Sequence, residues 1–264
     1  MTSLLGIAAL RALRGFSLAE MAVVLAIIAL LLGSTMHTLS AQLEQRDEAR
    51  TARHLEDARE LLLAFAIVNG RLPCPARETT AGDELRDASG TCRDAAGNDD
   101  YYRGLLPARA LGLREVDAQG FARDAWGNRI RYAVAKSVIG CSGTPTLPHF
   151  TSAPNLKSNG ITCQPADLLL CRSAAGISAS SCGASANSLT NQNLVVALLL
   201  SPGKNAAVSR IGGSDEAANA DGDPVFVAHP PAPSGAVGGE FDDRLAWITV
   251  GELYGRLIAA GLLP

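Results

Sequence analysis

The chain has 264 residues, which is enough for one sizeable domain with insertions. Its 26 acidic and 23 basic side chains give a formal net charge of -3, and this balance excludes a protein that binds nucleic acid through bulk positive charge. Aromatic residues make up 5% of the chain, which is typical of a small core with long loops.

The first predicted element is a long apolar helix near the N-terminus. Residues 16–36 include an uncharged run from Ala22 to Gly33 and carry one ionisable side chain, Glu20. As a helix, this segment would cover roughly 30 Å, about the thickness of the hydrocarbon core of a bilayer. A carboxylate inside such a segment is costly and implies a partner for its charge. The pattern predicts a transmembrane helix with a functional glutamate.

The residues around Glu20 resemble the N-terminal signal of type IV pilins and of the pseudopilins of type II secretion. A short leader with Arg11 and Arg14 is followed by Gly15, Phe16 and then Glu20. In that family, prepilin peptidase cuts after the glycine, and the new N-terminal phenylalanine is N-methylated. The resemblance implies cleavage after Gly15, methylation of Phe16 and a role in assembly for Glu20. Its carboxylate would neutralise the terminal amine of a neighbouring subunit, since paired charges lose less free energy in an apolar environment than single ones.

Two alternatives account for the same segment. Arg11 and Arg14 could be the positive region of a secretory signal peptide that is cleaved near residues 39–41. The segment could also be a plain single-pass anchor in which Glu20 has no role in assembly. Each alternative predicts a different N-terminus for the mature chain.

The helix is predicted to continue to Asn69, because no proline or glycine interrupts residues 37–69 and Gly70 and Pro73 follow. An apolar stripe at helical spacing predicts a face that packs on the rest of the protein, and it consists of Leu55, Ala58, Leu61, Leu62, Phe65 and Val68. The prepilin interpretation then divides the chain into a leader (1–15), a transmembrane and filament-core helix (16–36), an amphipathic half of that helix (37–69) and a periplasmic globular head (70–264) with insertions at 141–193 and 205–240.

Short strands are predicted after the helix. Ile130, Tyr132 and Val134 alternate as in a half-buried strand, and residues 194–200 form an apolar run expected to be the central strand. Further strands are expected at 225–227 and 245–249, and Thr249 and Glu252 have the spacing of a capping box for a last short helix. We find no internal repeat.

Residues 124–134 resemble a segment that follows the long helix in the major pseudopilin, with Ala125 in place of a proline. Trp126 in this segment is expected to anchor the core under the first strand. The resemblance implies an α+β fold class, with a long N-terminal helix (a transmembrane half plus an amphipathic half) packed on a small antiparallel sheet with long disulfide-bearing loops.

All six cysteines follow the apolar segment, and their even number favours disulfides formed in an oxidising compartment. Free thiols and a metal site are the alternatives, but no C-x-x-C spacing supports a metal. Proximity suggests one pair, Cys74 with Cys92, and the sequence leaves the pairing of the others open. The remaining four cysteines are Cys141, Cys163, Cys171 and Cys182.

We expect no enzymatic activity, because the chain lacks the usual catalytic patterns. Its four histidines are scattered, residues 201–204 do not have the spacing of a phosphate-binding loop, and neither G-x-S-x-G nor H-E-x-x-H occurs. A membrane-anchored periplasmic enzyme stays open as an alternative that would be indifferent to Glu20.

A calcium site is implied by a second resemblance to the major pseudopilin. In that protein, a Ser-x-Gly-x-Asp loop after an apolar strand and a later Gly-Gly-Glu and Asp segment together hold a calcium ion. Ser201 and Asn205 stand in the first position here, and Asp242 and Asp243 stand in the second. Oxygen ligands of this kind suit Ca²⁺. The acidic run at residues 215–223 could supply ligands instead, and a metal-free loop is the other alternative.

The function that these resemblances imply is assembly, as a minor pseudopilin or minor pilin of a type II secretion pseudopilus or type IV pilus. The expected partners are prepilin peptidase, which is also the N-methyltransferase, other pilin or pseudopilin subunits, and the inner-membrane assembly platform. The chain would lie in the bacterial inner membrane as a single-pass protein, with a cytoplasmic N-terminus and a periplasmic head, until it enters a filament. The alternative is a membrane-anchored periplasmic binding module for DNA, a surface or a secreted substrate.

Overall fold

The computed structural model describes residues 17–94, 96–141, 148–206 and 215–263, and the side chains of residues 32–41 are not described. The chain forms two units, Met1–Arg46 and Asp47–Pro264. The helices are α1 (Leu18–Asn69), α2 (Ala153–Asn159), α3 (Asp215–Ala220) and α4 (Val250–Ala259). The strands are β1 (Gly104–Leu105), β2 (Arg131–Val134), β3 (Val138–Ile139), β4 (Gln164–Pro165), β5 (Leu169–Cys171), β6 (Val195–Ser201), β7 (Val225–Val227) and β8 (Arg244–Thr249).

The helix α1 begins with a capping box formed by Ser17 and Glu20. The amide of Ser17 donates to Oε2 of Glu20 at 2.8 Å, and the amide of Glu20 donates to the hydroxyl of Ser17 at 3.2 Å. These bonds satisfy amides that the start of a helix leaves without an intrahelical partner. The carboxylate of Glu20 therefore helps to start the helix.

The prediction of a long, apolar N-terminal helix with a transmembrane half is wrong. Across the residues that the structure describes, no helix is long and apolar enough to cross a membrane. Charged side chains are frequent in α1 after Leu43, so the helix as a whole is not apolar. The leader with Gly15 and Phe16 lies outside the described residues.

The main sheet has four antiparallel strands in the order β1-β2-β6-β8. All seven residues of β6 are buried, which explains why its sequence is a continuous apolar run and does not alternate. Residues of α1 belong to the same core as this sheet, namely Leu55, Ala58, Leu62, Leu63 and Ala66. The fold is therefore α+β, with a small antiparallel sheet and part of α1 around one main core.

Two small sheets lie outside the main one. β3 pairs with β4 in antiparallel fashion, and β5 pairs with β7 in parallel. Leu169 of β5 and Val225 of β7 form a small satellite core with the disulfide of Cys171 and Cys182. The predicted insertions at 141–193 and 205–240 thus hold regular structure and part of the core within their described residues.

All six cysteines form disulfides, as predicted, and they pair in chain order. The bonds are Cys74–Cys92, Cys141–Cys163 and Cys171–Cys182. Each joins cysteines that are 11 to 22 positions apart, in segments that are rich in polar residues and glycine. Such cross-links stabilise the fold mainly by restricting the unfolded chain.

The chain contains a short internal repeat, which differs from the expectation of none. Residues 87–98 and 117–128 share the pattern D-A-x-G-x-x-R-D-A-x-G-N, and each copy contains two tight turns. In all four turns, the aspartate carboxylate accepts the amide four residues later at 2.7 to 2.9 Å, and the glycine has a φ between 84° and 89°. Glycine adopts this φ without strain, and aspartate is a frequent turn residue because it bonds its own backbone. The expectation of no internal repeat was wrong because these residues build turns and not a periodic helix or strand.

His149 is buried as a neutral side chain in the core around α4. Its Nε2 lies 3.2 Å from the hydroxyl of Tyr254, and its Nδ1 has no hydrogen-bond partner. Burial lowers the pKa of His149 to about 4. Because this pKa is lower in the folded chain than in the unfolded chain, stability from His149 is present above about pH 6.5 and is lost as the pH falls toward 4.

We predict that His149→Phe makes the chain less sensitive to acid. The loss of free energy of unfolding between pH 7.5 and pH 4.5 should be smaller in the variant by about 2 to 3 kcal/mol, because phenylalanine cannot take up a proton. Urea unfolding at several pH values would measure this difference. An equally steep loss in both proteins would assign the acid sensitivity to other groups.

Candidate metal centre

Two loops meet at one end of the main sheet because of the pairing between its strands. β6 ends at Ser201 and β8 begins at Arg244, and these two residues are paired across the antiparallel ladder. The loop that follows β6 and the residues that precede β8 must therefore lie side by side. This register brings Asn205 next to Asp242, which is 37 positions away in the sequence.

Three carboxylates converge at this point. Oxygen atoms of Glu216, Asp242 and Asp243 all lie within 4.8 Å of one another. Two oxygens that bind one Ca²⁺ from opposite sides are separated by about 5 Å, since each bond is roughly 2.3 to 2.6 Å long. The spacing of the carboxylates is therefore compatible with one shared cation.

Hydrogen bonds from the surrounding chain hold the three carboxylates in place. Oδ2 of Asp242 accepts the amides of Lys204 and Asn205 at 2.9 and 3.1 Å. Oε1 of Glu216 accepts the amide of Asp242 at 2.8 Å and Nδ2 of Asn205 at 3.2 Å. Oδ2 of Asp243 accepts Nδ2 of Asn219 at 2.7 Å. The cluster is thus built from the loop after β6, from α3 and from the residues just before β8.

When the carboxylates are ionised, two buried oxygen atoms at the cluster have no hydrogen-bond partner. They are Oδ1 of Asn205 and Oδ1 of Asp242. A buried acceptor without a partner is unfavourable unless something else, such as a cation, contacts it. Amide and carboxylate oxygens are the ligands that Ca²⁺ takes in proteins. The residues present therefore fit a hard divalent cation.

Electrostatics favour the same conclusion. Burial, reinforced by the neighbouring carboxylates Glu216 and Asp242, raises the pKa of Asp243 to about 7. Burial also raises the pKa of Glu216 and of Asp242. Carboxylates packed this closely repel one another when ionised, so the cluster takes up protons unless a positive charge is bound. A divalent cation would supply that charge and would displace the protons.

A pocket of about 260 Å³ adjoins the cluster at Asp243. Asp243 belongs to both the pocket and the cluster. The other residues that line the pocket are Leu189, Ala228, His229, Arg244, Leu245 and Trp247.

Gly203 allows the close approach of the two loops. Its φ is 64°, and a Cβ atom at this position would lie 2.1 Å from Oδ1 of Asp242. Any other residue would therefore be strained in its backbone and would displace the carboxylate. The glycine of the loop after β6 is required by the geometry of the site.

The structure brings together three of the four predicted calcium ligands, Asn205, Asp242 and Asp243. It places the fourth, Ser201, in a different role, because its hydroxyl donates to Oδ2 of buried Asp124 at 2.7 Å. Glu216 joins the cluster from the acidic run at 215–223, which the sequence offered only as an alternative source of ligands. No local signal in that run distinguishes Glu216, since its proximity to Asp242 depends on how α3 packs.

Trp126 does not anchor the core as predicted, because its side chain is only half-buried. The turn that contains it is held by Asp124, whose Oδ1 accepts the amides of Trp126 and Asn128. Burial raises the pKa of Asp124, which also accepts the hydroxyl of Ser201. The segment at 124–128 therefore supports the loop of the cation site.

No protein-family model, curated protein or solved structure matches the chain. The cation site is therefore inferred from the arrangement of its own residues. That arrangement, with backbone-held carboxylates and two buried oxygens without partners, can bind a cation and tie three segments of the chain together.

We predict that calcium stabilises the full chain against heat at pH 8 and much less at pH 5. In the cation-free protein, the raised pKa values make the folded state bind more protons than the unfolded state between about pH 4 and pH 7, so stability from these groups falls as the pH rises through that range. Calcium should reverse this loss at pH 8, and a 100-fold excess over its Kd would add about 2.7 kcal/mol.

The variant Asp242→Asn should lose most of this thermal shift, which differential scanning calorimetry with and without calcium chloride would measure. Asp221→Asn is the matched control, because Asp221 is exposed, lies in the same acidic run and is outside the cluster. Equal calcium shifts in the two variants would rule out this site.

Proposed function

We propose that the chain is a pilin-like filament subunit, of the minor pseudopilin or minor pilin kind, whose head is ordered by a bound calcium ion. One observation carries the proposal, namely the exposure of consecutive apolar side chains at the start of α1. Leu18, Leu25 and Leu30 are exposed by 89%, 60% and 75%. The other exposed apolar residues of this stretch are Met21, Val23, Val24, Ile27, Ile28 and Leu31.

A helix that is apolar on all sides is stable in water only when something covers it. The α1 residues of the main core of the head begin at Leu55. Copies of the same helix would cover one another in a filament, with small and branched side chains in close contact. Filament assembly thus accounts for a surface that a monomer would leave exposed to water.

The residues that precede this stretch support the same proposal. Gly15, Phe16 and Glu20 have the spacing that prepilin peptidase recognises in the pilin family, and Arg11 and Arg14 lie in the short leader. Three disulfides support a head that folds in an oxidising compartment, as the periplasm is. Processing by the peptidase, methylation of Phe16 and incorporation through an assembly platform follow as parts of the proposal.

Calcium would order the surface of the head in this function. The cluster links the loop after β6 to α3 and to the residues just before β8, and polar contacts hold these segments together at the cluster. A cation that joins these segments would fix their relative positions. The binding free energy of the cation would offset the conformational entropy that the segments lose. Subunits that pack in a filament benefit from such a fixed surface.

The first experiment is the intact mass and N-terminal sequence of the protein produced with and without prepilin peptidase. We expect a mature chain that begins at Phe16, carries one added methyl group and appears only with the peptidase. A chain that begins near Gln42 would identify a secreted protein, and an uncut chain would show that prepilin peptidase does not process this protein. Either result would contradict the filament proposal.

We further predict that Glu20→Ala prevents filament formation and that Ser17→Ala does not. Both variants lose the capping box, but only Glu20→Ala loses the carboxylate that would pair with the terminal amine of a neighbouring subunit. Electron microscopy and quantification of sheared filaments would compare them. If the two variants lose filaments to the same extent, the role of Glu20 is to start the helix and not to pair with a neighbour.

A further inference from the structure

The repeat at residues 87–98 and 117–128 provides an internal comparison between two equivalent asparagines. Asn98 and Asn128 end the two copies, and each follows a glycine with a positive φ. Each donates its backbone amide to an aspartate four residues earlier, Asp94 or Asp124. The backbone of the two turns is therefore held in the same way.

The side chains of the two asparagines have different partners. Asn98 is exposed, and its Nδ2 lies 3.0 Å from Oδ2 of Asp94, within its own turn. Nδ2 of Asn128 donates instead to the carbonyl oxygen of Gly203 at 2.6 Å, across 75 positions of the sequence. Of the two asparagines, Asn128 is therefore the one that binds the loop after β6.

This contact joins Asn128 to the loop whose amides hold Asp242 in the cation cluster. The residues after Gly203 are Lys204 and Asn205, whose amides hold Oδ2 of Asp242. The same loop is held at its other end by the bond from Ser201 to Asp124. The turn at 124–128 thus binds both ends of the segment 201–203, and this segment sets the position of the amides that orient Asp242.

The same turn is bonded to α1. The amide of Ala125 donates to the hydroxyl of Thr51 at 3.1 Å, and Thr51 is fully buried although it is polar. A continuous series of hydrogen bonds therefore runs from Asp242 through the loop 203–205 to Asn128, and from Ala125 to Thr51. Such a series is a contiguous network of the kind that can carry energetic coupling between two sites.

We propose that Asn128 is a positioning residue of the cation site and that the turn at 124–128 couples cation binding to α1 at Thr51. The inference rests on the proposed cation site and adds a means by which the helix responds to it. A cation bound to Asp242 and Asn205 restrains the loop 203–205. The restrained loop holds Asn128, and the turn then keeps the amide of Ala125 on Thr51. Coupling of this kind is reciprocal, so loss of the bond to Thr51 weakens cation binding.

The test is isothermal titration of calcium chloride into the full chain with its disulfides intact. Asn128→Ala should lower calcium affinity about three- to tenfold at unchanged stoichiometry, as the loss of one hydrogen bond predicts. Asn98→Ala is the matched control, because it removes the same side chain from the same type of turn. It should leave the affinity unchanged, since Nδ2 of Asn98 bonds Asp94 within its own turn and not the loop after β6. Thr51→Val should lower the affinity about twofold, since it acts at the far end of the series.

Hydrogen exchange at single amides distinguishes coupling from a purely structural role of Asn128. A structural role alone would not make the exchange rate at Ala125 depend on calcium. Calcium should slow exchange of the amide of Ala125 in the wild type and in Asn98→Ala. In Asn128→Ala at saturating calcium, the amides of Lys204 and Asn205 should still be protected, but the amide of Ala125 should exchange at its cation-free rate.

The outcomes separate the two proposals. If the wild type binds no calcium, both the proposed cation site and the proposed coupling are wrong. If the wild type binds calcium but Asn128→Ala and Asn98→Ala bind it equally, and calcium leaves exchange at Ala125 unchanged, the site stands and the coupling is overturned. Thermal unfolding without calcium checks that each variant is folded.

Discussion

The burial of β6 along its whole length is the constraint on which the rest of the head depends. A strand with every residue buried needs neighbours on both edges and cover on both faces, and β2 and β8 supply the edges. The register that follows sets Ser201 opposite Arg244, and so it brings the loop after β6 to the residues that precede β8. The meeting of Asn205 with Asp242 is a consequence of this pairing, since the two residues are far apart in the sequence.

Much of the remaining chain is too polar to be stabilised by apolar burial. Disulfides, side-chain hydrogen bonds and ion pairs stabilise it instead. The disulfides close loops of polar composition, and the four Asp-Ala-x-Gly-x turns bond their own backbone through aspartate. Ion pairs then tie α1 to the strand and helix that end the chain. The guanidinium of Arg59 contacts Glu252 and donates to the carbonyl oxygen of Trp247, and Arg244 pairs with Glu48 at 2.8 Å. A cation at the cluster would add a further cross-link between distant segments.

Local patterns predicted the elements whose residues are determined by their own neighbourhood. The strand at 225–227 matches β7, and Thr249 accepts the amide of Glu252 as the capping box requires. These signals depend on residues within one or two turns of each other. The apolar stripe of α1 was predicted less well, because Val68 is 83% exposed while Ala66 is buried. Helical spacing identifies a face, but where that face ends depends on what packs against it.

The sequence by itself determined that the chain combines one long helix with short strands, and its even number of cysteines favoured disulfides over free thiols or a metal site. Periodicity, residue type and even cysteine number are properties of the chain alone, and they suffice for those conclusions. Only the tertiary structure decided that Glu216 joins the cluster, that Ser201 bonds Asp124 instead, and how four of the cysteines pair. These facts depend on which distant segments meet, and the strand register and helix packing that bring them together leave no local mark in the sequence.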